Sequence, residues 1–162
     1  MTRSGIGFDA HQLDKGIDLY IGGIKIDSDL GSLGHSDGDA LIHAITDSLL
    51  GAAGMGDIGQ YFPSDEAEWE NAKSEIFLIE VKKILINNGF KISNIDCTVV
   101  LQKPKINPYI ESIRNNISRM LELNKNYVSI KATTTDYLGY IGDSKGWSVI
   151  SIATIIDTNE DC

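Results

Sequence analysis

The apolar residues of this chain are spaced in two ways, one typical of strands and one typical of helices. Alternating or continuous apolar runs predict strands over 3–10, Ile92–Leu101, Val128–Thr135 and Trp147–Ile156, and a hairpin over 19–26. Apolar residues three and four positions apart predict helices over about 39–53, over about 73–87 and from Pro108 onward. Polar segments over 27–38, 64–72 and 136–146 are predicted as loops.

Short polar signals mark where the predicted helices begin. Asp37 or Ser36 can cap the first helix. Asn107 suits the cap of the third helix, and Pro108 suits its first turn. The last strand is apolar on both faces, so we expect it to be central in the sheet or buried in an interface.

Length and composition indicate one globular α/β domain over residues 1–158, with helices packed on a sheet and a frayed end over 159–162. The net charge of −9 argues against sequence-independent binding of nucleic acid, which needs a basic face. No apolar run is long enough for a membrane span, and no signal peptide is evident, so we expect a cytoplasmic protein without a membrane partner. The two cysteines, Cys97 and Cys162, form no CxxC motif, which argues against a disulfide framework and against a cysteine zinc knuckle.

Two of the three histidines, His35 and His43, lie where the polar segment 27–38 turns into the first helix. Asp39, His43 and Asp47 are four residues apart, so they share one face of that helix. Asp9 and His11 point to one face of the first strand. With His43 they make a three-ligand set with a fourth position open, as in catalytic zinc sites. The spacing alone fits two unrelated surface features equally well, because neither pattern is specific.

Three further stretches carry residues that can bind a ligand, a phosphate or a metal ion. The glycines between 51 and 59 indicate either close approach of a ligand or an ordinary helix cap and turn. Lys103-Pro104-Lys105 ends a strand and can bind phosphate, or its lysines are simply solvated. The threonines and carboxylate of 131–136 suit a phosphate–Mg²⁺ pair, although threonine is also a common strand residue. Walker A, Gly-x-Ser-x-Gly and Rossmann motifs are missing from the sequence.

Five short motifs stand in one order along the chain: Gly-Phe-Asp-x-His at 7–11, His-Ser-Asp-Gly-Asp at 35–39 with His43, Gly-Asp-Ile-Gly at 56–59 with Phe62-Pro63, Pro104-Lys105, and Lys-Ala-Thr-Thr-Thr at 131–135. Each motif is weak by itself, but five in this order are very specific. From Gly5 to about Ile156 the chain therefore resembles the 2-C-methyl-D-erythritol 2,4-cyclodiphosphate synthase family of the non-mevalonate isoprenoid pathway.

The resemblance implies an α+β sandwich, with a mixed sheet packed on one side by about three helices, that assembles as a homotrimer with active sites between subunits. In such enzymes the substrate is 4-diphosphocytidyl-2-C-methyl-D-erythritol 2-phosphate. Its 2-phosphate attacks the β-phosphate of the diphosphate, closing an eight-membered ring and expelling CMP. This phosphorus–oxygen lyase reaction needs no protein nucleophile, so positioning and charge neutralisation account for most of the catalysis.

The resemblance also implies roles for single residues. Asp9, His11 and His43 would hold Zn²⁺, and Asp136 would bind a Mg²⁺ or Mn²⁺ that bridges the diphosphate. These four residues and Thr134 make up the implied catalytic set. The implied contacts to the methylerythritol phosphate and its sugar are His35, Ser36, Asp39, Asp57, Ile58, Gly59 and Phe62. The implied contacts from the neighbouring subunit to cytidine and phosphate are Pro104, Lys105, Ala132, Thr133, Thr134 and Thr135.

Two positions depart from the family pattern. Asp136 stands where the family usually has glutamate, so we expect it to bind the ion through a water or with an altered metal preference. Asp143 and Lys145 stand where relatives commonly show Arg-x-Glu near the trimer axis. We therefore do not expect this chain to bind an isoprenoid diphosphate there, as relatives can. Trp147 and the apolar last strand remain candidates for lining an axial interface.

Two other functions use the same residues. A metal-dependent phosphohydrolase would use metal-bound water and release inorganic phosphate. A trimeric binding or scaffold protein would keep the fold without the reaction, which the intact ligand trio argues against. Two histidines and one carboxylate also occur in iron oxygenases, but the fold pattern of those enzymes is missing here.

Overall fold

Five strands form one mixed sheet in the computed structural model, which describes residues 1–34, 36–63, 66, 69 and 72–159. The strands of the chain are β1 (Thr2–Lys15), β2 (Leu19–Ile21), β3 (Ile24–Ile26), β4 (Leu30–Leu33), β5 (Phe90–Val100), β6 (Val128–Thr133) and β7 (Gly146–Asp157). The order in the sheet is β4-β1-β7-β5-β6, and only the β5–β6 pair is parallel. The strands β2 and β3 pair separately as the predicted hairpin, which turns at Gly22-Gly23.

Three long helices and two single-turn helices complete the domain. They are α1 (Ala40–Ala53), α2 (Ile58–Tyr61), α3 (Ser74–Asn87), α4 (Ile110–Leu121) and α5 (Gly139–Gly142). The apolar stripe predicted for α1, Ile42, Ile45 and Leu49, is completely buried. The predicted single domain with a mixed sheet and packed helices is confirmed. None of the helices among the described residues has the length and apolarity to cross a bilayer.

Helix α1 lies directly on the backbone of β1, because two glycines leave room for it. A methyl group at Gly7 would stand 1.9 Å from the carbonyl oxygen of Ala44, and one at Gly5 would stand 2.2 Å from that of Ser48. Since alternate residues of a strand face opposite sides, Asp9 and His11 lie on the same face as these glycines, against α1. The close approach therefore sets the distance between the residues predicted as metal ligands.

Several of the predicted element boundaries were wrong, and β1 runs to Lys15 instead of ending at residue 10. The segment 27–38 contains a strand, β4, whose Leu-Gly-Ser-Leu sequence lacks a clear alternating pattern and which forms by pairing with the end of β1. The segment 136–146 contains the single-turn helix α5. Asn159, expected in the frayed end, donates from its side chain to the carbonyl oxygen of Asn88, at 2.9 Å. Residues 160–162 lie outside the described residues, as does most of the predicted loop 64–72.

The predicted helix caps were also wrong. Asp39 caps α1, and its carboxylate accepts from the backbone N–H of Ile42, whereas Asp37 and Ser36 do not. The third helix begins as a 3₁₀ turn over Asn107–Tyr109, so Asn107 lies inside the turn and no side chain caps it, whereas Pro108 lies in the first turn as predicted. Propensity names the residue types that can cap, but the turn into each helix decides which one does.

The last strand, β7, is central in the sheet, which is one of the two positions predicted for it. Trp147 is completely buried, and its indole N–H donates to the hydroxyl of Ser32 at 2.6 Å. The expectation that Trp147 lines an interface was therefore wrong, because this side chain faces the core of its own chain. The outer face of the sheet instead carries exposed apolar side chains on β1 and β7: Ile6, Phe8, Ile150, Ile152 and Ile156.

Candidate metal centre and active site

Three ligand atoms converge where β1 meets α1. Asp9 Oδ2 lies 2.9 Å from His11 Nε2 and 3.0 Å from His43 Nδ1, and the two histidine nitrogens are 3.3 Å apart. Asp9 and His11 come from one face of β1, and His43 comes from the first turns of α1. The three side chains predicted as a metal site are therefore brought together, and they form a candidate metal-binding triad.

The geometry of the triad fits a small tetrahedral cation. Zinc bound by nitrogen and oxygen at 2.0–2.1 Å places neighbouring ligand atoms roughly 3.3 Å apart. The three separations given above are close to that value. One carboxylate and two imidazoles suit zinc, and three protein ligands leave a fourth position for water or substrate. The triad thus has the composition and spacing of an open metal site.

Hydrogen bonds behind each imidazole orient its ligand nitrogen. His11 Nδ1 lies 3.0 Å from the carbonyl oxygen of Leu33 on β4. A carbonyl oxygen only accepts, so Nδ1 carries the proton and Nε2 is left to bind a metal. His43 Nε2 lies 3.2 Å from the hydroxyl of Ser36 and 2.9 Å from that of Ser74. Partners of this kind fix ring orientation and tautomer at metal sites.

The charges of the triad stabilise one another. Burial by itself would raise the pKa of Asp9, but hydrogen bonds and charge from His11 and His43 outweigh it and lower the pKa to about 2. Burial would lower the pKa of His11, but the hydrogen bond and negative charge of Asp9 outweigh it and raise the pKa. Asp9 is therefore ionised at neutral pH, which is the form that binds a metal.

A cleft opens beside the triad and has one aromatic wall. It is lined by His11, Ser36, His43, Ile58, Gly59, Phe62, Trp69 and Phe77. The rings of Phe62 and Phe77 are 4.7 Å apart, and those of Phe62 and Trp69 are 5.1 Å apart. Ser36, Ile58, Gly59 and Phe62 thus lie where the resemblance implies substrate contacts. Trp69 and Phe77 were missed, because Trp69 lies in a segment predicted as a loop and an aromatic residue at helical spacing, such as Phe77, predicts only burial.

The glycine-rich segment after α1 holds one edge of this cleft. Gly54 ends α1 in the left-handed conformation, as an ordinary cap does, whereas Gly59 lines the cleft. Asp57 is exposed and caps α2. The carboxylate of Asp47 accepts from the backbone N–H of Ile58 at 2.8 Å, and burial raises its pKa. The cap interpretation is therefore confirmed at Gly54, and close approach of a ligand at Gly59 stays a prediction.

Asp39 does not belong to the cleft. Its side chain is completely buried, and its two oxygens accept from the backbone N–H groups of Gly22, Gly23 and Ile42. Burial raises its pKa to about 6 in spite of these donors. The expected substrate contact at Asp39 is thus replaced by a structural one, in which the residue joins the β2–β3 turn to α1. His35, the other end of that motif, lies outside the described residues.

The second group of predicted residues lies at the far end of the parallel pair β5–β6. The paired strands bring residues 102–105 beside residues 133–136, and the side-chain oxygen of Gln102 accepts from the backbone N–H of Tyr137 at 3.2 Å. Asp136 has φ +50°, and its N–H donates to the hydroxyl of Thr134 at 3.2 Å. Within the part of the chain that the structure describes, no residue of 102–105 or 131–136 lines the cleft of the triad. The two predicted groups of site residues therefore do not share this cleft within a single chain.

Comparison with known proteins identifies the family. Residues 2–156 match the model of the YgbB family. The chain belongs to the YgbB family. The resemblance drawn from the five motifs is thereby confirmed.

Members of the YgbB family resemble this chain over nearly its whole length. A 2-C-methyl-D-erythritol 2,4-cyclodiphosphate synthase of Chlorobaculum tepidum is 50% identical over 144 residues, which are 89% of this chain and 92% of that protein. The CDP complex of IspF from Plasmodium falciparum superposes with a TM-score of 0.85 at 35% identity, covering 98% of this chain and 97% of that one.

Some relatives carry a second unit. The bifunctional IspDF of Campylobacter jejuni superposes with a TM-score of 0.93 at 36% identity, covering 99% of this chain. This chain spans 44% of the length of that bifunctional protein. The chain thus corresponds to one part of such an enzyme.

Proposed function

We propose that this chain converts 4-diphosphocytidyl-2-C-methyl-D-erythritol 2-phosphate to 2-C-methyl-D-erythritol 2,4-cyclodiphosphate and CMP. The observation that carries the proposal is the convergence of Asp9, His11 and His43 beside a cleft, in a chain of the YgbB family. Relatives are named for this product, and two solved relatives are CDP complexes. A pocket that accepts CDP accommodates the cytidine diphosphate part of the substrate.

The reaction balances within the substrate. An oxygen of the 2-phosphate forms a bond to the β-phosphorus, and the bond from that phosphorus to the α-phosphate oxygen breaks, so CMP leaves with the electron pair. Because one molecule supplies both nucleophile and electrophile, the reaction is a lyase-type cyclisation. The chain supplies orientation, charge and exclusion of water.

Asp9, His11 and His43 would hold a zinc ion beside the cleft. When bound there, zinc polarises a β-phosphate oxygen and neutralises charge that develops on it. The backbone of Ile58 and Gly59, with the hydroxyl of Ser36, would position the sugar phosphate near the triad. The aromatic wall of the cleft would exclude water from the reacting phosphorus.

Asp136 would hold a second cation, Mg²⁺ or Mn²⁺, against the diphosphate. Its carboxylate is exposed at the end of β6, next to the hydroxyl of Thr134, and oxygen ligands suit these cations. The second cation neutralises the α- and β-phosphates when bound. Lys105, Pro104, Ala132, Thr133 and Thr135 would complete the cytidine and phosphate pocket.

We infer that the two halves of the site come from different subunits of a homotrimer. The triad and residues 131–136 do not share a cleft in one chain, and an exposed apolar patch covers the outer face of β1 and β7. In this patch Phe8 is 59% exposed and pairs across the strands with Ile150. A soluble monomer rarely leaves such a contiguous patch uncovered.

Mixing two impaired variants tests the shared site. His43→Ala removes one ligand of the triad and Asp136→Ala removes the carboxylate of the other half, so each variant alone should turn over at least about tenfold more slowly than the wild-type protein. Coexpression at equal amounts should restore about a quarter of wild-type activity, because that share of interfaces receives both intact halves in a randomly mixed ring. No recovery in verified mixed trimers would contradict a site shared between subunits.

Product analysis tests the reaction itself. Incubation with the cytidylylated substrate should release CMP and the cyclic diphosphate in equal amounts. Inorganic phosphate in place of the cyclic product would contradict the cyclisation and favour a phosphohydrolase.

A further inference from the structure

Two residues outside the predicted site support His43 from behind, Ser74 directly and Asp37 through Ser74. Ser74, the first residue of α3, is completely buried, and its Oγ lies 2.9 Å from His43 Nε2. The hydroxyl of Ser74 also makes a short hydrogen bond to Asp37 Oδ1. The backbone N–H of Ser74 donates to the other oxygen, Asp37 Oδ2, at 2.9 Å. A continuous chain of hydrogen bonds thus runs from Asp37 through Ser74 to His43.

The chemistry of these groups fixes the direction of the hydrogen bonds. A carboxylate has only acceptor oxygens, so the hydroxyl proton of Ser74 points at Asp37. The serine oxygen then has lone pairs left for His43, and Nε2 must carry the proton that it accepts. With its proton on Nε2, neutral His43 presents an unprotonated Nδ1. This is the nitrogen that faces Asp9 and His11.

We propose that Ser74 and Asp37 are positioning residues that hold His43 as the Nε2–H tautomer with Nδ1 aimed at the metal position. The inference rests on the proposed metal centre and adds its second layer of contacts. It also means that the beginning of α3 supports a ligand carried by α1. Partners behind a metal ligand typically contribute 10–100-fold to metal affinity.

A purely structural role for Ser74 would depend on its backbone N–H at the start of α3 and not on its hydroxyl. Asp37 caps α3 through the backbone N–H of Ser74, and this contact does not involve the hydroxyl. Ser74→Ala therefore keeps the cap and removes only the hydroxyl between Asp37 and His43. Asp37→Asn keeps an oxygen for the cap, but its amide N–H₂ can donate to the serine and so release the hydroxyl proton toward His43.

Ser48→Ala is a matched control. Ser48 is also a completely buried serine, and it lies on the same helix as His43. Its hydroxyl bonds to the carbonyl oxygen of Ile45 and to Ser151, away from the triad. Ser74→Thr is the conservative variant, since it keeps a hydroxyl.

Two measurements on the full-length protein test the proposal. Competition with a chromophoric chelator gives the zinc dissociation constant, and ¹H–¹⁵N spectra of the histidine rings in the zinc-loaded protein show which ring nitrogen carries the proton. Ser74→Ala and Asp37→Asn should bind zinc about 10–100-fold more weakly, with a second ring state at His43. Ser48→Ala should match the wild-type protein, and Ser74→Thr should regain most of the affinity.

The outcomes separate this inference from the metal centre itself. Wild-type affinity and an unchanged His43 spectrum in both Ser74→Ala and Asp37→Asn would overturn the positioning role. An equal loss in Ser48→Ala would also overturn it, because the effect would then be a general consequence of removing a buried hydroxyl. A wild-type protein that binds no zinc would instead refute the proposed metal centre, a result seen before any variant is compared.

Discussion

Replacing Gly7 with alanine should damage the metal site through the fold. Gly7 has no positive φ, so its backbone accepts alanine and the only obstacle is packing. The added methyl would lie 1.9 Å from the carbonyl oxygen of Ala44, whereas real contacts of this kind are at least 3.0 Å. Helix α1 and strand β1 would therefore have to separate by about 1.1 Å.

The separation falls directly on the ligands. Asp9 is two residues from Gly7 on β1, and His43 precedes Ala44 on α1. Moving the two elements apart lengthens the 3.0 Å distance between Asp9 Oδ2 and His43 Nδ1 to about 4 Å, beyond the roughly 3.3 Å that one zinc ion spans between ligands. A displacement of this size at a reacting site lowers the reaction rate about 100-fold. Overpacking lowers the free energy of unfolding by about 1–3 kcal/mol.

Zinc titration and thermal unfolding measure both effects. Gly7→Ala should fold with a lowered Tm, bind zinc more weakly than the wild-type protein and turn over about 100-fold more slowly. Gly51→Ala is the control: its methyl meets only a carbonyl oxygen at 3.9 Å, so it should leave zinc binding unchanged and stabilise α1 by about 0.5–1 kcal/mol. A folded Gly7→Ala protein with wild-type zinc affinity would refute the argument that this contact sets the site.

Three further predictions concern Asp39, Asp136 and Phe8. Burial raises the pKa of Asp39 to about 6, so the folded protein favours the protonated form. The stability that this protonation contributes is complete below the ordinary pKa of 3.8 and is lost as the pH rises through 6. Urea titrations of Asp39→Asn should therefore lack about 3 kcal/mol of this pH dependence between about pH 4 and 6, and an identical pH profile would contradict the shift. Asp136→Ala should lower turnover at least tenfold at saturating Mg²⁺ while Asp143→Ala, another exposed carboxylate, should not; equal rates would remove Asp136 from the cation site. Phe8→Asp should convert a trimer to monomers in sedimentation experiments, and a stable trimer would show that the apolar patch is not its interface.

The sequence predicted the elements that carry strong periodicity, and failed where tertiary contacts decide. The stripe of Ile42, Ile45 and Leu49 leaves one arrangement that buries it, and the continuous apolar β7 takes a central place in the sheet. The strand β4 has no such pattern, and it forms because β1 extends to Lys15 and offers a pairing edge. Trp147 was misjudged because an apolar strand does not reveal which of its faces meets the core.

The site was predictable to different depths at different residues. Asp9 and His11 follow from strand geometry, but only the fold brings His43 within 3.0 Å of Asp9. The resemblance implied Asp39 as a substrate contact, but an acidic residue near a helix start can also be a cap, and its complete burial shows the structural role. Ser74 gave no signal at all, because a single serine at a helix start is ordinary and its contact with His43 is long-range.

The most direct test of the proposed cyclisation is ³¹P NMR of the reaction with metal-free, zinc-reloaded and His43→Ala protein, all with Mg²⁺ present. Cyclic diphosphate and CMP should appear in equal amounts only with the zinc-reloaded wild-type protein, and the metal-free and His43→Ala samples should leave the substrate resonances unchanged. Equal rates of cyclisation by zinc-reloaded wild-type and His43→Ala protein would contradict a reaction centred on Asp9, His11 and His43.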